Sequence, residues 1–156
     1  TNLERLKLSA EIYNNDFIKF DNKKKFDVII IDAPCSAVGT IRRNPEIFFK
    51  NKGPNFDKLL SLQENMLEKA SFLLNTDGFI IYMTCSFLKI ETKDQIDKFL
   101  KENNNFLLSN FRLIKDNINY SKLTKNNFMT TLPDRIFNKN IDGYFAAYLK
   151  KIKRLF

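Results

Sequence analysis

The sequence predicts an α/β fold built on a parallel sheet whose last strands include an antiparallel member. Three observations carry that reading. Two apolar runs, FDVIIID at 26–32 and GFIIYMTCS at 78–86, have the length and β-branched or aromatic content of buried strands. Between them lies a long stretch of helical periodicity, and a second amphipathic helix follows the later run. Strands that alternate with helices pair in parallel through crossover connections. DGYFAAYLKKI, near the end, reads as a final strand.

Taken in order, TNLERLKL reads as the tail of a helix, with Leu3, Leu6 and Leu8 on one side. AEIYNND looks like a short strand ending at Asp16, and DNKKK is a polar turn. FDVIIID places four consecutive β-branched apolar residues between aspartates, which predicts a strand buried on both faces. RRNPEIFFKNKGP is a basic, aromatic loop. Leu59, Leu60, Gln63, Met66, Leu67, Ala70, Leu73 and Leu74 then mark a helix over about 56–74, and NTDG supplies its stop with Gly78 available for a left-handed turn. KIETKDQIDKFLKENN is an amphipathic helix with Ile96, Phe99 and Leu100 inward. FRLIK is a possible strand, and 115–141 reads as a long polar loop with a turn at LPDR.

At 156 residues and 44% hydrophobic content the chain is long enough for one domain, 1–156, with a real core. No apolar stretch reaches the roughly 18 to 20 residues of a membrane helix, and no secretory signal stands at the start. With two cysteines, this suggests a reduced, cytoplasmic protein. Histidine is absent, which excludes histidine-based triads and Cys/His zinc sites. The net charge of +8 suits a polyanionic partner such as nucleic acid, although lysine- and asparagine-rich usage gives the same charge without one.

Asp32 and Cys35 leave the first buried strand, and Cys85 leaves the next. In open α/β sheets ligands bind beyond the carboxyl ends of the strands. If these strands are neighbours, both thiols and one carboxylate border a single crevice. For either cysteine alone, simple packing is the competing reading, and Asp32 alone serves equally as a turn cap. A tyrosine-phosphatase loop is excluded, because Ile41 stands where Cys-x5-Arg needs arginine. The cysteines lie fifty residues apart with no CxxC, which speaks against a zinc or dithiol motif, so no metal is expected.

DAPCSAVGTIRRNPEI, GFIIYMTCSFLKIETKDQI and DGYFAAYL together resemble the RNA cytosine-5 methyltransferases, specifically the bacterial small-subunit ribosomal RNA branch of the Sun or RsmB type. The resemblance runs over essentially the whole chain. It implies a Rossmann-like class I methyltransferase sheet, S-adenosylmethionine as cofactor and ribosomal RNA as substrate. It implies Cys85 as the nucleophile that adds to carbon 6 of cytosine, so that carbon 5 can take the methyl group. Cys35 would assist proton removal or product release. Asp32 would bond ring nitrogen 3 near the methyl donor, and Asp16 matches the acid that contacts the cofactor adenine. Arg42 and Arg43 are candidates for RNA phosphate contacts, with a solvated loop as the alternative. Phe48 and Phe49 are more simply explained by packing of their loop onto the following helix than by stacking on a base. Ala37, Lys7 and Asn15 stand where glycine is the commoner residue.

The same resemblance implies an incomplete sheet. The family order is 3-2-1-4-5-7-6, and Thr1 falls inside the helix after the second strand. The glycines, Gly39, Gly53, Gly78 and Gly143, are too dispersed for a cofactor loop. The first two strands and the glycine-rich loop are therefore expected to be missing, so the isolated fragment should be inactive. The FDVIIID strand should have an open edge, residues 1–20 should pack in a nonstandard way, or the fragment should dimerise through that edge. The alternative from another class is a non-catalytic basic RNA-binding module, or one half of a split protein.

Overall fold

A computed structural model describes residues 2–21, 23–49, 53–110, 124–125, 127–136 and 139–153. A short helix, α1 (Asn2–Leu6), leads into a segment without regular structure through Asn15. The strand expected over 10–16 does not form. Leu8, Ile12 and Tyr13 are all exposed there, and an extended segment with no neighbour to complete its ladder gains nothing from β geometry. Asp16 instead caps a 3-10 turn over Phe17–Lys19, its carboxylate accepting from the Ile18 amide at 3.0 Å, while Phe17 packs against the core.

The next elements are β1 (Phe26–Asp32), α2 (Phe56–Leu73), β2 (Leu74–Thr84), α3 (Lys93–Glu102) and β3 (Phe106–Ser109). They are followed by β4 (Thr124–Lys125), β5 (Phe128–Thr131), β6 (Asp134–Ile136), β7 (Lys139–Ile141) and β8 (Tyr144–Lys151). β1 lies parallel to β2, from Val28 opposite Phe79 to Asp32 opposite Met83. β8 runs antiparallel on the other side of β2, and its outer edge is shared by β3 and β5, both antiparallel. The path β1-β2-β8 followed by β3 and β5 reproduces positions 4-5-7-6 of the expected order. The expected polar loop thus contains strands, because Phe128 buries its ring against Phe145 at 5.3 Å between centroids. β6 and β7 form a separate hairpin. FRLIK lies outside the described residues.

α2 starts at Asn55, whose side chain accepts from the Lys58 amide at 2.9 Å. It runs straight into β2 with no loop. The carbonyls left at its end are met by lysines: Lys25 bonds the Phe72 carbonyl, and Lys151 donates to those of Ser71 and Leu74 at 2.8 and 3.0 Å. Burial, and then the charge of Lys25, push the Lys151 pKa down. The left-handed residue of NTDG is Asp77, at φ 66°, rather than Gly78. Gly78 serves a different need, since a Cβ there would stand 2.7 Å from the Asp27 carbonyl oxygen of β1.

Ile31, Ile80, Tyr82, Ala147 and Leu149 share one face of the sheet with Leu67 and Ala70 of α2 and Ile96 and Phe99 of α3. The opposite face of β1 is open: Val28 is 51% and Ile30 63% exposed. The run FDVIIID is therefore an edge strand covered on one face, not a strand buried on both. Among the described residues its free ladder edge has no partner, and α2 and α3 cover only the face bearing Ile31 and Ile80. No helix among the described residues is long and apolar enough to cross a membrane.

Candidate active site

β1 and β2 are parallel neighbours, so the segments that follow them emerge at the same rim. The ladder extends one step beyond β1 through the Ala33 amide, which donates to the Met83 carbonyl at 2.9 Å. Pro34 then turns the chain, and its carbonyl accepts from the Gln63 side-chain amide at 2.8 Å. The outcome is direct contact between the two thiols: Cys35 Sγ lies 3.3 Å from Cys85 Sγ, and both are free and half-buried.

The residues after each cysteine explain that contact. Ser36 donates its backbone N–H to Glu91 Oε1 at 2.7 Å and its hydroxyl to Oε2 at 2.5 Å. The Ser86 hydroxyl donates to the same Oε2 at 2.7 Å. Glu91, in the 3-10 turn Lys89–Glu91, is 0% exposed, and its own carbonyl accepts from the Tyr82 hydroxyl at 2.9 Å. One carboxyl group thus ties the loop after β1 to the loop after β2. Gln63 packs beside it, fully buried, its Nε2 between the Pro34 carbonyl and Glu91 Oε1.

A second tie lies one turn further on. Gly39 donates to the Cys85 carbonyl at 3.0 Å, and Gly143 donates to the Gly39 carbonyl at 2.7 Å. A Cβ on Gly39 would lie 1.9 Å from the Gly143 oxygen, so only glycine fits this crossing. Just before it, buried Asp142 receives Arg42 Nη2 at 3.1 Å and Arg43 Nε at 2.5 Å. Ala37 turns the chain between the two ties in the left-handed region, at φ 58°.

Burial pushes the Cys35 thiol up from 9.0 to about 12, against a lowering by the Ala37 backbone, and the neighbouring Cys85 and Glu91 push the same way as burial. Cys35 therefore keeps its proton near neutrality, and either sulfur can be the donor across the 3.3 Å contact. Burial likewise raises Tyr82, and the adjacent ionisable groups of Cys35 and Glu91 push the same way.

Of the residues singled out by the sequence, Cys35 and Cys85 are brought together, and exposed Asp32 stands at the same rim opposite Met83. Asp16 is not joined to them; its contact is the local cap on Ile18. Arg42 and Arg43 do not form a merely solvated loop, because both bond Asp142, though their side chains remain 39% and 54% exposed. Phe48 and Phe49 do not pack onto α2: they are 65% and 81% exposed. Glu91, Gln63, Asp142 and the Gly39–Gly143 crossing were missed. The only signal in the sequence was an acid five residues beyond the second Cys-Ser pair.

The family model for 16S rRNA methyltransferase RsmB/F matches residues 1–150. The chain belongs to that family. Ribosomal RNA small subunit methyltransferase B of Shewanella oneidensis is 41% identical over 102 residues, 64% of this chain and 24% of that protein. The protein of the same name from Salmonella agona is 37% identical over 96% of this chain and 33% of its own length. The chain thus spans a third or less of these two relatives. The crystal structure of NSun6 from Pyrococcus horikoshii with SFG matches at TM-score 0.76 and 22% identity, over 98% of this chain and 38% of that one. A methyltransferase homolog protein from the same organism matches at TM-score 0.71 and 24% identity, over 97% of this chain and 48% of that one. These likenesses establish the fold, a Rossmann-like class I methyltransferase sheet of which the RsmB/F chain described here carries part.

Two substitutions separate the backbone demands of this site. Ala37→Gly relieves a left-handed alanine and should stabilise the chain by about 0.5–1 kcal/mol in urea denaturation. Gly39→Ala forces the Cys85 and Gly143 backbones apart and should destabilise it by about 3 kcal/mol or more. Equal, small effects at both positions would contradict the crossing.

Proposed function

We propose that this chain is the cysteine-bearing, C-terminal part of the catalytic domain of an enzyme that methylates carbon 5 of cytosine in small-subunit ribosomal RNA, and that Cys85 is its nucleophile. The observation that carries the proposal is the 3.3 Å contact between the two sulfurs at the carboxyl ends of parallel neighbours, within a family described as acting on 16S rRNA. A basic module freed from catalysis has no need of that contact.

Carbon 5 of cytosine is a poor nucleophile. Addition of the Cys85 sulfur, its thiol proton first lost to solvent, to carbon 6 places the electrons of the 5,6 double bond at carbon 5, which attacks an electrophilic methyl group. Loss of the carbon-5 proton to a base then restores the double bond as the carbon 6–sulfur bond breaks. Of the two roles the resemblance offers Cys35, product release suits a thiol held protonated: its S–H donates to the departing Cys85 sulfur. Asp32, exposed at the rim, would hydrogen-bond ring nitrogen 3 through a proton that one of the two carries. The base must be unstacked to reach the thiol.

S-adenosylmethionine supplies the methyl group when bound; the relative solved with SFG, an analogue of it, favours this donor. The residues present fit that group in part. Asp32 suits its polar end and Asp16 its adenosyl end, but Asp16 sits in an irregular exposed segment, and the dispersed glycines form no cofactor loop. A cavity of about 390 Å³ beside β1 is lined by Asn15, Phe17, Phe26 and Val28 and does not include Asp32. The isolated chain is therefore inactive. Its open β1 edge pairs with a second copy, which a monomer mass by light scattering would contradict. Arg42 and Arg43 offer their exposed faces to RNA phosphates, beside Phe48 and Phe49 as stacking surfaces.

RNA carrying 5-fluorocytosine has no carbon-5 proton to lose and traps the adduct. In the full-length gene product, Cys85→Ser should abolish the covalent complex on denaturing gels, and Cys35→Ser should retain it. The reverse pattern would exchange the two roles, and no adduct in either background would end the covalent reading.

A further inference from the structure

We propose that Glu91 is the positioning residue of this site: by accepting from Ser36 and Ser86 at once, it holds the Cys35 and Cys85 sulfurs in contact. The inference rests on the reading of the two cysteines as a working pair, but its test needs no methyl transfer.

The geometry leaves Glu91 little other purpose. It is fully buried, and a carboxyl group withdrawn from water is costly unless its oxygens meet donors. The donors nearest to it are those of the residues immediately following each cysteine, with the Gln63 side-chain amide further off at 3.5 Å from Oε1. Ser36 contributes both its backbone N–H and its hydroxyl, which fixes the peptide that carries Cys35. Ser86 contributes its hydroxyl, and the Leu88 amide in turn donates to that hydroxyl oxygen at 3.2 Å, which fixes the peptide that carries Cys85. The Glu91 backbone is itself anchored, since its carbonyl holds the hydroxyl of Tyr82 on β2. Alongside the backbone bond from Gly39 to the Cys85 carbonyl, the side-chain link that brings the two sulfurs together is therefore one carboxyl group anchored to the central strand.

Glutamate is suited by its shape as much as by its charge. Glutamine at 91 can still present an oxygen to the Ser36 N–H, while the two hydroxyls rotate to accept from its amide. Alanine leaves the Ser36 and Ser86 donors without their carboxyl partner.

Phenylarsine oxide reads the sulfur separation directly. Its arsenic forms two As–S bonds, and its oxygen leaves as water with the two thiol protons, so no oxidation occurs. In the full-length protein, with Cys35→Ser as the control for unrelated thiols, the pair should take up one arsenical. Glu91→Ala should weaken that uptake at least tenfold under conditions where circular dichroism shows the folded state. Glu91→Gln should restore it to within about threefold of wild type. If Glu91→Ala proves unfolded, the milder Ser36→Ala is used, with a loss of several-fold expected. A folded Glu91→Ala, or Ser36→Ala, that binds the arsenical like wild type would overturn the proposal and leave Glu91 a merely stabilising residue. Equal loss in the Gln and Ala variants would overturn it in favour of charge. Failure of 5-fluorocytosine trapping with arsenical uptake intact would instead fault the proposed reaction, not the clamp.

Discussion

A single buried carboxyl group, that of Glu91, joins the two segments on which the site is built. Parallel pairing of β1 with β2 delivers both segments to one rim, but strand pairing stops at Ala33 and Thr84. Beyond those points the loops are independent lengths of chain unless something links them. Ser36 and Ser86 reach the same Glu91 oxygen, Oε2, and their hydroxyls lie 3.4 Å apart. Hydrogen bonds sheltered from water are stronger than exposed ones, and a polar cluster with its donors and acceptors matched favours one arrangement of the chain.

The Gly39 crossing works in the same direction by a different force. Here steric exclusion, not attraction, decides: the backbones of three motifs approach so closely that a side chain cannot stand between them. Gly39 holds the Cys85 carbonyl on one side and the Gly143 amide on the other. Asp142, buried beside the crossing, meets two guanidinium groups and so avoids the cost of an unpaired buried charge. The loop after β1, the loop after β2 and the start of β8 are thereby one body.

Much of this was readable in the sequence, and the failures have physical causes. The helix at 56–73 declared itself through periodicity, and the central and final strands through their apolar runs, which are local properties. The meeting of Cys35 and Cys85 followed from topology, because parallel neighbours must release their chains at one rim. Burial of β1 on both faces did not follow, since composition reports what a strand can bury and not what lies against it; Ile30 is as apolar as Ile31, yet one is 63% exposed and the other 2%. The strand expected at 10–16 failed for the same reason: a ladder needs a partner. Glu91 and Asp142 were illegible because an acid in a sequence looks solvated until its donors are known, and those donors lie as far as 55 and 100 residues away. Arg42 and Arg43 read as a free basic pair for want of the same information.

The claim that one side chain couples the two loops is tested most directly by a double-mutant cycle on Ser36→Ala and Ser86→Ala, followed by urea denaturation. If both hydroxyls serve one buried acceptor, removing the second should cost less than removing the first. The double variant should then fall short of the sum of the singles by on the order of 1 kcal/mol. Costs that add to within about 0.3–0.5 kcal/mol would show two independent serines, and would contradict the coupling on which this account of the site depends.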